Sequence, residues 1–200
     1  MTQYARPSSD ILTNSIWNPS TGTDLYSCVN ETSSNDSPAI NTTTGSTGYD
    51  ELGLSSVTDP EVNTDHVLTY RCRRNPTNRA ITFVMRLMQG STEIASWTHT
   101  NLPNAYTTYT ETLTTAQADA ITDYSALRVR LNITSSHTQG RYYVSWVQFA
   151  VPDAPVATNR QVIVGGAWKK VDNLYVLADG SWKEVISLQI IVDGEWKTVF

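Results

Sequence analysis

The chain has 200 residues and is rich in Thr, Ser, Asn and Val, with six Trp, ten Tyr and only 16% charged residues, a balance that favours strands and turns over helices. Its net charge of −5 and pI near 5.1 supply no field that would draw it to nucleic acid or an anionic membrane. No run approaches the roughly 20 apolar residues of a membrane span, and a chain this long buries roughly 70% of its unfolded surface without help from disulfides or metal. Met1-Thr-Gln-Tyr opens directly into polar sequence, so no export signal is read and the only cysteines, Cys28 and Cys72, are expected as free thiols behaving as small hydrophobes.

Residues 1–58 are punctuated by Pro, Gly, Asn and Ser, which predicts loops and edge strands, with a strand-like piece at Leu25 to Val29. From Val67 the pattern sharpens: Leu68, Tyr70 and Cys72 alternate with Thr69, Arg71 and Arg73, the period of a half-buried strand. Ile81, Phe83, Met85 and Leu87 repeat it before a Gln89-Gly90 turn, and Glu93 to Thr98 returns as the second arm of a hairpin. Thr114 followed by Thr115-Ala116-Gln117-Ala118-Asp119-Ala120 reads as a capped helix of under two turns. Leu127, Val129 and Leu131 alternate with Arg128 and Arg130, and Arg141 to Val151 is a long aromatic strand, apolar on both faces and therefore expected to be covered on both. About eight strands around one core make a jelly-roll-like β-sandwich with one short helix over residues 1–152.

Pro152-Asp153-Ala154-Pro155 breaks the last strand, because proline supplies no ladder donor and restricts its neighbour. Residues 153–160 are read as a linker. Beyond it the sequence repeats as Gly165-Gly166-Ala167-Trp168-Lys169, Asp179-Gly180-Ser181-Trp182-Lys183 and Asp193-Gly194-Glu195-Trp196-Lys197, the tryptophans falling 14 residues apart. Gly-Gly and Asp-Gly are two-residue hairpin loops, so residues 161–200 form three β-hairpins with Ile163 opposite Trp168, Leu177 opposite Trp182 and Ile191 opposite Trp196. Each such pair is worth about 0.2 to 1 kcal/mol, too little for a free hairpin. The array is expected to stack on itself, on the sandwich, or on other chains, with these six residues as an oligomerisation or attachment surface in a homotrimer.

Few residues suggest chemistry. His66, His99 and His137 stand apart, no zinc-type His/Cys spacing occurs, and there is no nucleophile elbow, phosphate loop or dinucleotide fingerprint. Gly45-Ser46-Thr47-Gly48 is a loop, lacking the lysine and helix that a phosphate needs. Glu31, Asp36, Asp50, Glu51 and Asp59 are read as solvated loop acids, with calcium ligation and glycosidase chemistry as lesser alternatives. Sequons at Asn30, Asn41 and Asn132 carry little weight in an Asn- and Thr-rich chain. Trp17, Trp97 and Trp146 are assigned to core or half-core packing. No catalytic group and no cofactor are expected. Arg71, Arg73, Arg86, Arg128 and Arg130 occupy the outward positions of three strands and make one basic face if those strands are neighbours. That face reads as a protein-contact surface, since arginine suits desolvated bidentate contacts, or as a plain solvated face.

Ala5-Arg6-Pro7-Ser8-Ser9-Asp10, Trp17-Asn18-Pro19-Ser20-Thr21-Gly22, Leu25-Tyr26 and Val29-Asn30-Glu31 are followed in order by Glu51-Leu52-Gly53-Leu54, Asp59-Pro60, Leu113 to Tyr124, and Val144-Ser145-Trp146-Val147. This succession resembles carbohydrate-binding-module-like β-sandwich domains of tailed-phage structural proteins over about the first 150 residues. The Gly-x-Trp-Lys hairpins likewise resemble C-terminal arrays on phage tail, fibre and head-surface proteins. The resemblance implies a non-enzymatic component of the virion surface, a capsid decoration or short head-fibre protein whose partners are other capsid or tail proteins. Its alternative is a tail-associated receptor- or glycan-binding module, since similar sandwiches bind carbohydrate.

Overall fold

The computed structural model describes residues 2–75, 81–135 and 140–153, and six short strands between 161 and 198. Chain contacts divide it into two units, Met1–Ala154 and Pro155–Phe200.

In the first unit the period-2 segments pair into two antiparallel sheets. The first holds β1 (Thr2–Ala5), β3 (Trp17–Pro19), β4 (Ile40–Thr42), β6 (Val67–Arg74), β9 (Thr107–Thr112) and β11 (Tyr142–Pro152). Its order is β3-β4-β11-β6-β9, with β1 pairing to the far end of β11. The second is β2 (Pro7–Leu12), β5 (Gly48–Leu54), β10 (Leu127–Ser135), β7 (Ile81–Gln89) and β8 (Thr92–His99), in that order. Their inner faces meet in one apolar cluster, with Leu68, Tyr70, Val144 and Phe149 from the first sheet and Leu52, Phe83, Met85 and Leu131 from the second. Phe83 is its hub: Trp17 and Tyr70 meet it edge-on at 5.9 and 6.4 Å and Tyr142 stacks at 6.2 Å, favoured aromatic geometries. Trp17 keeps its indole N–H satisfied by donating to the Leu131 carbonyl at 3.0 Å.

The β7–β8 hairpin forms as its alternation predicts, and so does the helix α1 (Thr115–Asp119). Thr114 caps α1 in a reciprocal box with Gln117. Gly53 is explained by crossing chains, because a Cβ there would lie 2.6 Å from the Ser9 hydroxyl of β2.

Three expectations require correction. Leu25 to Val29 is not a strand but a 3₁₀ turn at Tyr26–Cys28, because the Asp10 carboxylate accepts the amides of both Leu25 and Tyr26 at 2.9 Å and winds the chain there. β11 is not covered on both faces. A bulge at Ser145 shifts its register against β6, so Tyr142 and Val144 point inward before it and Val147, Phe149 and Val151 after it. Straight alternation across one extra residue counts both sets of core positions as opposite faces. The acids are not all solvated, since Asp50 and Glu51 lie on β5 and are buried.

In the second unit β12 (Gln161–Val164) pairs β13 (Ala167–Lys170), β14 (Tyr175–Ala178) pairs β15 (Ser181–Glu184), and β16 (Gln189–Val192) pairs β17 (Glu195–Thr198). The backbone register sets Ile163 against Trp168, Leu177 against Trp182 and Ile191 against Trp196. The turn dipeptides, the linker residues beyond Asp153, His137 and the hairpin side chains lie outside the described residues.

Asp50 ties the chain before β3 to the second sheet. Its two oxygens accept from the amides of Asn14 at 2.6 Å and Trp17 at 2.9 Å. Burial nevertheless pushes its carboxyl up, outweighing these bonds. Asp50→Ala orphans both amides, and a loss of about 3 kcal/mol is expected in denaturant melts. Cys28 and Cys72 are buried free thiols, and burial pushes Cys72 up to about 12. Intact mass after alkylation should therefore show little labelling of native protein and two adducts in denaturant.

Candidate functional site

Cross-strand pairing builds a row of side chains across the outer face of the first sheet. Asn18 of β3 opposes Asn41 of β4, Asn41 opposes Tyr143 of β11, and Tyr143 opposes Arg73 of β6. In the next row, beyond the bulge, Trp146 opposes Arg71 and Arg71 opposes Thr108 of β9. Tyr106, just before β9, closes the end. The Arg73 guanidinium carbon lies 3.9 Å from the Tyr143 ring centre and 4.9 Å from that of Tyr106, so the cation sits against two π faces.

The chain between the 3₁₀ turn and β4 walls this surface. Asp36 accepts from Arg71 Nε and Nη2 at 2.7 and 2.9 Å and from the Ser145 hydroxyl at 3.0 Å. The Arg71 hydrogen bonds hold its carboxyl below the usual aspartate range. Trp146 donates its indole N–H to the Glu31 carbonyl at 2.8 Å, and the Val147 amide donates to the Val29 carbonyl at 3.0 Å. The result is a shallow cleft of about 200 Å³ lined by Ser20, Asp36, Ser37, Ala39, Asn41, Arg73, Tyr106 and Tyr143. Burial raises the Tyr106 phenol, which therefore stays protonated at neutral pH.

The five arginines do not share one face. Arg71 and Arg73 lie on the first sheet, while Arg86, Arg128 and Arg130 lie on β7 and β10 of the second. Arginines alternate on strands of both sheets because each sheet has its own outer side. On the second sheet Arg86 stands opposite Arg130, a repulsive pairing relieved by acids. Glu51, only 4% exposed, accepts from Arg128 Nη1 at 2.9 Å and Arg130 Nε at 2.7 Å, and Arg86 pairs with Glu93.

Both described histidines are occupied. The Thr64 carbonyl can only accept, so His66 donates to it through Nδ1 at 2.8 Å and accepts through Nε2 from the Tyr124 hydroxyl at 2.7 Å. His99 Nε2 lies 2.6 Å from the Tyr70 hydroxyl. No group of three His, Cys, Asp or Glu among the described residues is placed to hold a metal. A second hollow of about 470 Å³ lies beside Asp59, Glu61, Asn63, Asp119 and Tyr124; the Asn63 amide donates to Asp119 at 2.9 Å across it.

No family model matches the sequence, and no curated protein does. Solved structures similar to the fold include the CBM36-1 domain of a multidomain xylanase from the hindgut metagenome of Trinervitermes trinervoides. That match has a TM-score of 0.39 and 12% identity over 78% of this chain and all of that one. The C-terminal CBM6 of the laminarinase LamC from Zobellia galactanivorans matches at 0.42 with 11% identity, over 76% of this chain and all of that one. A stig cyclase from Fischerella sp. TAU matches at 0.35 with 15% identity, over 73% of this chain and 90% of that one. Likenesses at this level assign neither family nor ligand, and the site has to be argued from its own geometry.

The Arg71–Asp36 pair is solvent-exposed, and such pairs contribute about 0 to 1 kcal/mol. Its effect is to position the cleft wall. Asp36→Ala should shift thermal stability by less than about 1 kcal/mol while increasing amide exchange across residues 29–37. A large stability loss would show the pair to be a structural staple instead.

Proposed function

We propose that residues 1–152 form a non-catalytic glycan-binding module whose site is the Arg73, Tyr106 and Tyr143 cleft. The observation that carries this reading is the combination of aromatic rings with fixed polar groups in a shallow hollow. A sugar ring presents C–H faces that pack on tyrosine and hydroxyls that need donors and acceptors in set places. Tyr143 and Tyr106 supply the first, and Arg73, Asn41, Ser37 and Ser20 supply the second. The site is open rather than deep, as a chain internal to a polymer requires.

The placement of this module on a phage virion, attached to capsid or tail proteins, rests on the sequence resemblance and stands as part of the proposal. So does a homotrimer formed through residues 161–200. Three short hairpins with a common register favour it, because isolated two-stranded hairpins are marginal and need partners.

Two measurements test these readings. In affinity electrophoresis against a panel of soluble polysaccharides, at least one should retard the protein, and Tyr143→Ala should weaken that retardation about tenfold or more, matching the 1 to 3 kcal/mol of a stacked ring. Absence of retardation by every polymer would overturn glycan binding. In light scattering, the full chain should have three times the protomer mass, whereas a chain ending at Asp153 and the Trp168, Trp182 and Trp196 triple alanine variant should be monomers. Equal masses for all three would overturn the trimer.

A further inference from the structure

Resting on the glycan-binding reading, we propose that the cleft selects acidic glycans, polymers whose sugars carry carboxylate or sulfate groups, over neutral ones.

Arg73 makes no ion pair among the described residues. Its Nη1 lies a long 3.5 Å from the Arg74 carbonyl, and the Tyr106 phenol is within its hydrogen-bonding reach. This distinguishes it from Arg71, Arg86, Arg128 and Arg130, each of which has a carboxylate. Tyr143 and Tyr106 lie over the guanidinium. A guanidinium shielded on its faces can be satisfied only in its own plane, along the fork that matches the two oxygens of a carboxylate or sulfate.

The neighbours add donors rather than acceptors. The Asn41 side-chain oxygen accepts from Arg141 Nη1 at 3.2 Å and one of its amide N–H groups donates to the Asn18 carbonyl at 3.4 Å, which leaves the other N–H to donate. Ser20 Oγ accepts from the Ala39 amide at 3.0 Å, so its hydroxyl hydrogen remains to donate. Asp36, the carboxylate that lines the cleft, takes three bonds from Arg71 and Ser145. Arg71, Arg73 and Arg141 against Asp36 and Glu31 leave an excess of one positive charge on this patch of a chain whose net charge is −5. A neutral sugar, whose hydroxyls each need an acceptor as well as a donor, leaves these donors under-used. An anionic oxygen pair uses them fully and supplies the charge that Arg73 lacks.

The test is affinity electrophoresis of the full chain at fixed ionic strength. The acidic probes are polygalacturonate, alginate, hyaluronate, polysialic acid and heparin. The neutral probes are fully methyl-esterified polygalacturonate, xylan, mannan, galactan and dextran. At least one acidic polymer should bind tenfold or more tightly than every neutral one. Arg73→Gln should abolish that margin. Arg86→Gln, which removes the same charge from the other sheet, should leave it unchanged, and circular dichroism of both variants checks that they fold. Binding to neutral polymers alone, or an acidic preference that survives Arg73→Gln or falls equally with Arg86→Gln, overturns the acidic selectivity and leaves glycan binding standing. No binding to any polymer overturns both.

Discussion

One extra residue in the central strand of the first sheet sets most of what this protein presents to its surroundings. Ser145 bulges out of β11, and a strand's inside and outside exchange with each single-residue shift. The bulge keeps Tyr143 and Trp146 both on the outer side although they are three positions apart, while Val144 and Val147 both reach the core. It also aims the Ser145 hydroxyl at Asp36, so the segment leading into β4 is fastened by Ser145, Trp146 and the Val147 amide in succession. Without that segment the outer face would be a flat sheet. With it, the face has a wall and therefore a cleft.

The two outer faces treat arginine in opposite ways. On the second sheet every arginine named here is matched by Glu51 or Glu93, and Arg130 also lies 4.3 Å from the Tyr49 ring centre. On the first sheet Arg71 is paired with Asp36, whereas Arg73 has no carboxylate in salt-bridge contact among the described residues and meets the Tyr143 and Tyr106 rings, the Tyr106 phenol and, over 3.5 Å, the Arg74 carbonyl. That asymmetry in carboxylate pairing is why the first face, and not the second, is the candidate site.

Much of the scaffold was legible locally. The β7–β8 alternation, the Thr114 and Gln117 capping box and the hairpin registers around Trp168, Trp182 and Trp196 each depend on residues a few positions apart. What stayed hidden depends on contacts far apart in sequence. Nothing near Asp10 announces that it will wind Leu25 and Tyr26 into a 3₁₀ turn, and nothing near Ser145 marks a bulge. The grouping of arginines failed because alternation gives the side of a strand but not the sheet to which the strand belongs. Tyr143 shares its outward phase with Arg73 only once β11 is known to lie beside β6, and Tyr106 sits in a loop with no periodicity at all. The cleft is a product of topology, and its signal in the sequence was limited to the ten tyrosines.

The central claim is that ligand meets the walled outer face of the first sheet. Backbone amide shifts recorded by NMR, while titrating isotope-labelled protein with oligosaccharides cut from the polymer that binds best, address it directly. Saturable shifts are expected at Asn41, Arg73, Tyr106, Tyr143 and residues 36–37, with Glu51, Arg86, Arg128 and Arg130 unmoved. Shifts centred on the second sheet, or on the hollow beside Asp59 and Asp119, would contradict it.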